Sequence, residues 1–354
     1  MAQAIIPSSL RNPESARMVK EKSYWRMVGE ALYGDKLTLF AIALLTFIVT
    51  ISLSAPWIAS NVIGFTPTST NLRMRNKPPT WAVESWPRFQ EFTRTCQGAG
   101  NCNWSLWGEI GTTSRQGIGA CLRADLGNCH WMGTDSAGRD VFTRGLYGGR
   151  ISLRIGLYVA GISLTLGVVM GLLSGYYAAT WIDDLINAVI MTLGSIPLLF
   201  LLIILSRIFS PGPEGLSLLI GLFSWMGLSR LIRGQIFSVR EREFIYASRA
   251  IGSSGWRIMF QHILPNIASI IIVSAIFNIA GAIIAEAGLS YLGVGIGPPH
   301  ASWGNMMEGS LGNFTNAPWL VLAPGIFIFW TTLSIYLFGD GLRDALDPTL
   351  KNKR

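Results

Sequence analysis

Charge is scarce in this sequence: Asp, Glu, Lys and Arg make up 14% of the 354 residues, against 50% apolar residues and a mean hydropathy of +0.41. That excludes an ordinary soluble domain, in which about a quarter of residues are charged. The means of handling nucleotides are also missing. None of the six lysines follows a glycine, so no G-x-x-x-x-G-K-[ST] phosphate loop exists. His130, His262 and His300 are too far apart for an H-E-x-x-H zinc site, and no G-x-S-x-G elbow occurs. The chain is therefore not expected to be an enzyme or to hold a metal or cofactor. Lys/Arg-rich blocks are missing too, so the net charge of +8 belongs beside apolar spans and not on nucleic acid.

What is present is long apolar runs. They fall at 37–59, 152–178, 185–209, 216–229, 264–291 and 319–338, each compared with the roughly 20 residues that cross a bilayer. The expected fold is an all-α polytopic membrane protein with six transmembrane helices and a large extracytoplasmic loop after the first. The fourth run is the weakest, because Arg230 and Arg233 intrude and are expected to snorkel outward. Pro197 should kink the third. Gly167, Gly171 and Gly175 are four residues apart and so share one helix face. Such a face packs closely on a neighbour, within the chain in preference to a partner subunit. The string 133–140 resembles a phosphate cradle superficially; a turn followed by an Asp-capped helix is the expected structure.

Six spans put both termini on one side. The N-terminal tail carries six basic residues against four acidic, and 229–262 carries six arginines against two glutamates. Both are expected in the cytoplasm, as is the tail ending Lys351, Lys353, Arg354. The segment 61–150 also has a basic excess, but loops of that length cross largely regardless of charge. All four cysteines (Cys96, Cys102, Cys121 and Cys129) lie there, as expected of disulfides in an oxidising compartment. Zinc and unpaired thiols are the alternatives, and three pairings are open. The expected organisation is a cytoplasmic tail 1–36, a first helix 37–59, a loop 60–150, a five-helix core 151–340 and a cytoplasmic tail 341–354.

One cytoplasmic stretch is not generic. It runs Glu243-Phe-Ile-Tyr-Ala-Ser-Arg-Ala-Ile-Gly252 and continues through Trp256 to His262-Ile-Leu-Pro265-Asn266. Good helix formers end at Gly252, a natural stop. The stretch resembles the EAA loop of ABC importer permeases: E-A-A, three residues, G, nine residues, I-x-L-P. Ala247, Gly252, Leu264 and Pro265 match, while Tyr246, Ser248 and His262 depart from it. Three further segments resemble the C-type permease of the dipeptide/oligopeptide/nickel importer family. They are Gly133-Thr-Asp with Gly138-Arg-Asp140, Leu289-Ser-Tyr-Leu-Gly293 with Ser302-Trp-Gly-Asn305, and Gly339-Asp-Gly-Leu-Arg-Asp344. The likeness spans about 130–350.

That resemblance implies a type I importer permease in the bacterial inner membrane, forming half of a peptide path. Its implied partners are a homologous second permease, two cytosolic ABC ATPases that bind ATP and Mg, an extracytoplasmic solute-binding protein, and membrane lipid. Tyr246, Ala247, Ser248, Arg249, Gly252, Leu264 and Pro265 would couple the chain to the ATPases. Glu286 lies inside the fifth apolar run, where a carboxylate is costly and so a candidate for the translocation path. It would meet a peptide ammonium group or change protonation; the alternatives are a structural pair with Arg207 or interfacial exposure. The competing functional class is an ion-coupled secondary transporter that works without an ATPase. It would call for internal repeats and intramembrane acids, and neither stands out.

Overall fold

The computed structural model describes residues 24–99, 109–116, 118 and 129–346. Secondary structure among them is helical apart from one isolated bridge between Thr134 and Asp140. The main helices are α1 (Tyr24–Gly34), α2 (Lys36–Leu53), α3 (Trp86–Ala99), α4 (Val141–Tyr176), α5 (Trp181–Gly194) and α6 (Leu198–Phe209). They continue as α7 (Pro213–Arg240), α8 (Glu243–Ala250), α9 (Ala268–Tyr291), α10 (Trp303–Met306) and α11 (Trp319–Leu346).

Five helices, α2, α4, α7, α9 and α11, are long and apolar enough to span a membrane. α5 and α6 together are apolar enough to make a sixth, broken span, bent by 79° at Ser195–Pro197. Pro197 thus marks a break and not a gentle kink, since it supplies no N–H to bridge the two pieces. The run that looked weakest is a continuous helix of 28 residues, α7. Arg233 does not snorkel from it. The buried Asp183 carboxylate at the start of α5 accepts from its Nε and Nη2 at 2.9 and 2.7 Å.

α4 is the axis of the bundle. At about 1.5 Å per residue, its 36 residues extend about 54 Å, well beyond the roughly 30 Å hydrocarbon core. It begins at Val141, eleven residues before the apolar run, because the Asp140 side chain caps it by accepting from Thr143 N at 2.7 Å. Its glycine face packs within the chain. A Cβ on Gly167, Gly171 or Gly175 would stand 2.8–2.9 Å from Leu228, Ile232 or Ile236 of α7. Of the cysteines, Cys129 is buried and is not a free thiol. Cys102 and Cys121 fall outside the described residues, as does the side chain of Cys96. α1 and the end of α11 meet through Val28 and Leu346, beside Val273 of α9, which puts α1 next to the end of the last span.

Candidate functional site

α8 leaves the end of α7 after a two-residue turn, and its start and stop are legible locally. Glu243 in the first turn and Arg249 in the last suit the helix dipole. Gly252 has φ +80°, the left-handed region that glycine adopts without a Cβ clash. Its N–H donates to Arg249 O at 3.0 Å, and Ser253 N donates to Ser248 O at 3.1 Å, the paired bonds of a Schellman stop.

The helix is held from one side. Ile245 is fully buried in an apolar cluster with Ile236 and Val239 of α7 and Ile258, Met259 and Ile263 beyond the stop. Ser248 is buried on the same side, and Leu264 packs partly buried against the cluster. The other face is open: Ala247, Arg249 and Ala250 are exposed, and Tyr246 is 55%, Ile251 83% and Trp256 60% exposed. Trp256 stacks on Phe260 at 5.4 Å between ring centres, and the Arg249 guanidinium lies 5.5 Å from the Tyr176 ring at the end of α4. Pro265 is exposed in the one-turn helix just before α9. The seven residues expected to couple therefore divide. Ser248 and Leu264 face the bundle, Tyr246, Ala247 and Arg249 are exposed, Gly252 sets the stop, and Pro265 is exposed beyond it.

Beside this helix, Asp183 joins three spans. Its carboxylate accepts from Ser174 of α4 at 2.5 Å, Asn187 of α5 at 2.6 Å and Arg233 of α7. The pair makes α4, α5 and α7 one body at the end of the bundle that carries α8.

The opposite end is polar and closed. Asp135 accepts from the backbone N–H groups of Ala137 and Arg139 at 2.8 and 2.9 Å, from Arg139 Nε at 2.7 Å, and from Arg144. Burial pushes its pKa up, but those N–H donors and the two guanidiniums outweigh burial and hold it below the usual carboxylate value. Arg144 also donates to Asn305 Oδ1 at 3.3 Å, and Asn305 closes a capping box with Ser302 at the start of α10. The Thr134 N–H and hydroxyl and the Asp135 carbonyl bind the backbone of 74–77, so the loop after α2 is stitched to the head of α4.

Glu286 is fully buried on α9, and its partners are hydroxyls: Ser290 at 2.8 Å and Ser152 of α4 at 3.1 Å. Ser152 accepts in turn from Trp303 N at 3.3 Å. Neither expected alternative holds, since Arg207 is not its partner and no part of it is exposed.

The model of the binding-protein-dependent transport system inner membrane component matches residues 167–352, more than half of the chain. The chain belongs to that family. A second model, the N-terminal TM domain of oligopeptide transport permease C, matches residues 23–79. Among curated relatives, the dipeptide transport system permease protein DppC of Alkalihalophilus pseudofirmus is 41% identical over 223 residues, 63% of this chain and 73% of that one. The glutathione transport system permease protein GsiD of Pectobacterium atrosepticum is 38% identical over 225 residues, 64% and 74% of the two chains. The oligopeptide transport system permease protein OppC of Bacillus subtilis is 37% identical over 222 residues, 63% and 72% of the two. The chain is thus a multi-pass membrane protein of a transport permease family, as its motifs implied.

Reading the sequence missed three residues that position this permease's parts. Ile245 carried a weak signal: it is a β-branched apolar residue near the start of a short, mostly polar or small helix. Asp183 carried no signal that separates it from other acids, and Asp135 lay within the Gly133-Thr-Asp motif, which did not give its role. Their roles depend on Arg233, 50 residues away, and on Asn305, reached through Arg144 over 161 residues.

Proposed function

We propose that this chain is one half of a heterodimeric peptide permease in a bacterial inner membrane, driven by two cytosolic ABC ATPases and supplied by an extracytoplasmic binding protein. The observation that carries this reading is α8: a capped helix outside the spans, anchored by Ile245 alone among its large apolar residues and open on its other face. Such a helix transmits a push from a docked protein to α4 and α7, with which it shares its apolar cluster. The ATPases bring ATP and Mg, and this chain supplies the lever. The relatives named for dipeptide, oligopeptide and glutathione transport support a peptide as cargo.

In this reading, α8 and both termini are cytoplasmic and the loop after α2 is outside, where Cys96, Cys102, Cys121 and Cys129 form two disulfides. Cys129, buried and not free, supports one of these bonds. Glu286 ties α9 to α4 and α10 instead of meeting a peptide ammonium group, a role supported by its complete burial among hydroxyls.

The test is ATP hydrolysis by the purified complex in proteoliposomes, with and without peptide-loaded binding protein. Stimulation by loaded binding protein, with peptide uptake that requires ATP, is the expected result. Uptake by this chain alone, driven by an ion gradient, would replace the reading with a secondary transporter.

A further inference from the structure

One side of the loop after α2 faces the last span. Between them lies a cavity of about 410 Å³. Its loop wall is Trp81, Trp86, Phe89 and Ile110; its span wall is the α11 face that includes Leu322 and Ile326. Trp319, Leu322, Ala323 and Ile326 have the spacing of one helix face.

Several polar groups around this cavity are already engaged. The Trp81 indole N–H donates to Trp131 O at 2.8 Å, that of Trp319 donates to Thr134 O at 3.1 Å, and Ser114 donates to Ser85 at 2.9 Å. The rest of the lining is mostly ring and aliphatic surface, with Trp86 set edge-on against Trp319 at 5.0 Å. Such a cavity asks for an apolar occupant.

Its position says which one. Leu322 and Ile326 are 53% and 49% exposed on a spanning helix, and the exposed apolar surface continues below them at Phe329 and Trp330. Uncovered apolar surface on a span is covered by acyl chains. Ile326 lies seven residues into α11, about 10 Å along it at about 1.5 Å per residue. The tryptophans around the cavity mouth lie at the start of the span, at the level where indoles concentrate in membrane proteins. The cavity therefore continues a bilayer-facing surface upward, under the loop.

We propose that this cavity holds an acyl chain of a phospholipid from the leaflet on the loop's side, docking the loop to the bilayer as well as to the bundle. The assembled permease complex would be reconstituted in phosphatidylethanolamine/phosphatidylglycerol vesicles doped with phosphatidylcholine that carries a diazirine in mid-chain. After illumination, peptides are mapped by mass spectrometry. Adducts are expected on the Trp81–Phe89 and Ile110 peptides as well as on α11, because the chain lies between the two walls. In Ile326→Trp, which fills the cavity from the span side, loop adducts should fall at least fivefold while those at Phe329 persist. Adducts confined to α11, or loop adducts unchanged in the filled variant, would overturn the proposal. So would a loop labelled only after partner subunits are stripped away, which identifies a protein cover. The readout needs no transport, so a failure of the lipid site and a failure of transport are read separately.

Discussion

The two ends of α4 are held by different physics. At the Asp135 end, a buried carboxylate, two arginines and Asn305 form a directional network in which every partner has one place to be. At the Tyr176 end, α8 rests on Ile245 and an aliphatic cluster, which holds by area and tolerates small sliding. Charged hydrogen bonds in a closed site are costly to break singly, because the remaining partner is left uncompensated. Apolar contacts fail gradually. One end is thereby held by directional bonds and the other by apolar area.

The largest effect should come from breaking the directional network. Asp135→Asn leaves Arg144 buried without its anion, and a loss of about 3–5 kcal/mol is expected from removing one member of a buried pair. Thermal unfolding of the detergent-solubilised complex should show it; an unchanged midpoint would mean that water replaces the carboxylate. Ile245→Ala should come next, at about 2–5 kcal/mol for a fully buried isoleucine. That loss should appear as faster proteolysis or hydrogen exchange confined to 243–263, and uniform destabilisation would contradict a local seat.

Gly252→Val puts a β-branched residue at φ +80°, a strain of about 1–3 kcal/mol that redirects the chain after α8. Membrane insertion should survive while stimulation of ATP hydrolysis by loaded binding protein is lost; wild-type stimulation would reduce the segment to a connector. Arg257→Lys, exposed and outside α8, is the mild control and should stay within about 0.5 kcal/mol of wild type.

Acid separates the two ends more gently. Asp135 has a folded pKa below its unfolded value, so its contribution is complete above the unfolded value of about 4. It is lost as pH falls through the lower, folded value. The loop and the head of α4 should therefore loosen below about pH 4, while stability stays flat in this respect from about pH 5 to 8. Hydrogen exchange at 133–144 against 243–252 across that range measures the difference, and equal loosening of both segments would remove the contrast.

Local chemistry made much of this protein legible. Apolar runs have no other solvent than lipid or each other, so the spans could be counted. Gly252 stops α8 and Asp140 starts α4 through bonds that close within five residues, and periods of four put three glycines on one face. Motif order carried the family. What the sequence left open was every choice of partner. That Gly167, Gly171 and Gly175 meet Leu228, Ile232 and Ile236, that Arg233 finds Asp183 and does not reach for the surface, and that Glu286 ends among serines are facts about the bundle. The same holds for the third span, where Pro197 announced a weakness and packing decided a bend of 79°. The physical reason is common to all four. A helix face or a buried charge declares what kind of partner it needs, and many candidates along the chain qualify. Only the packing of α4 between α7 and α9 determines which of them arrives.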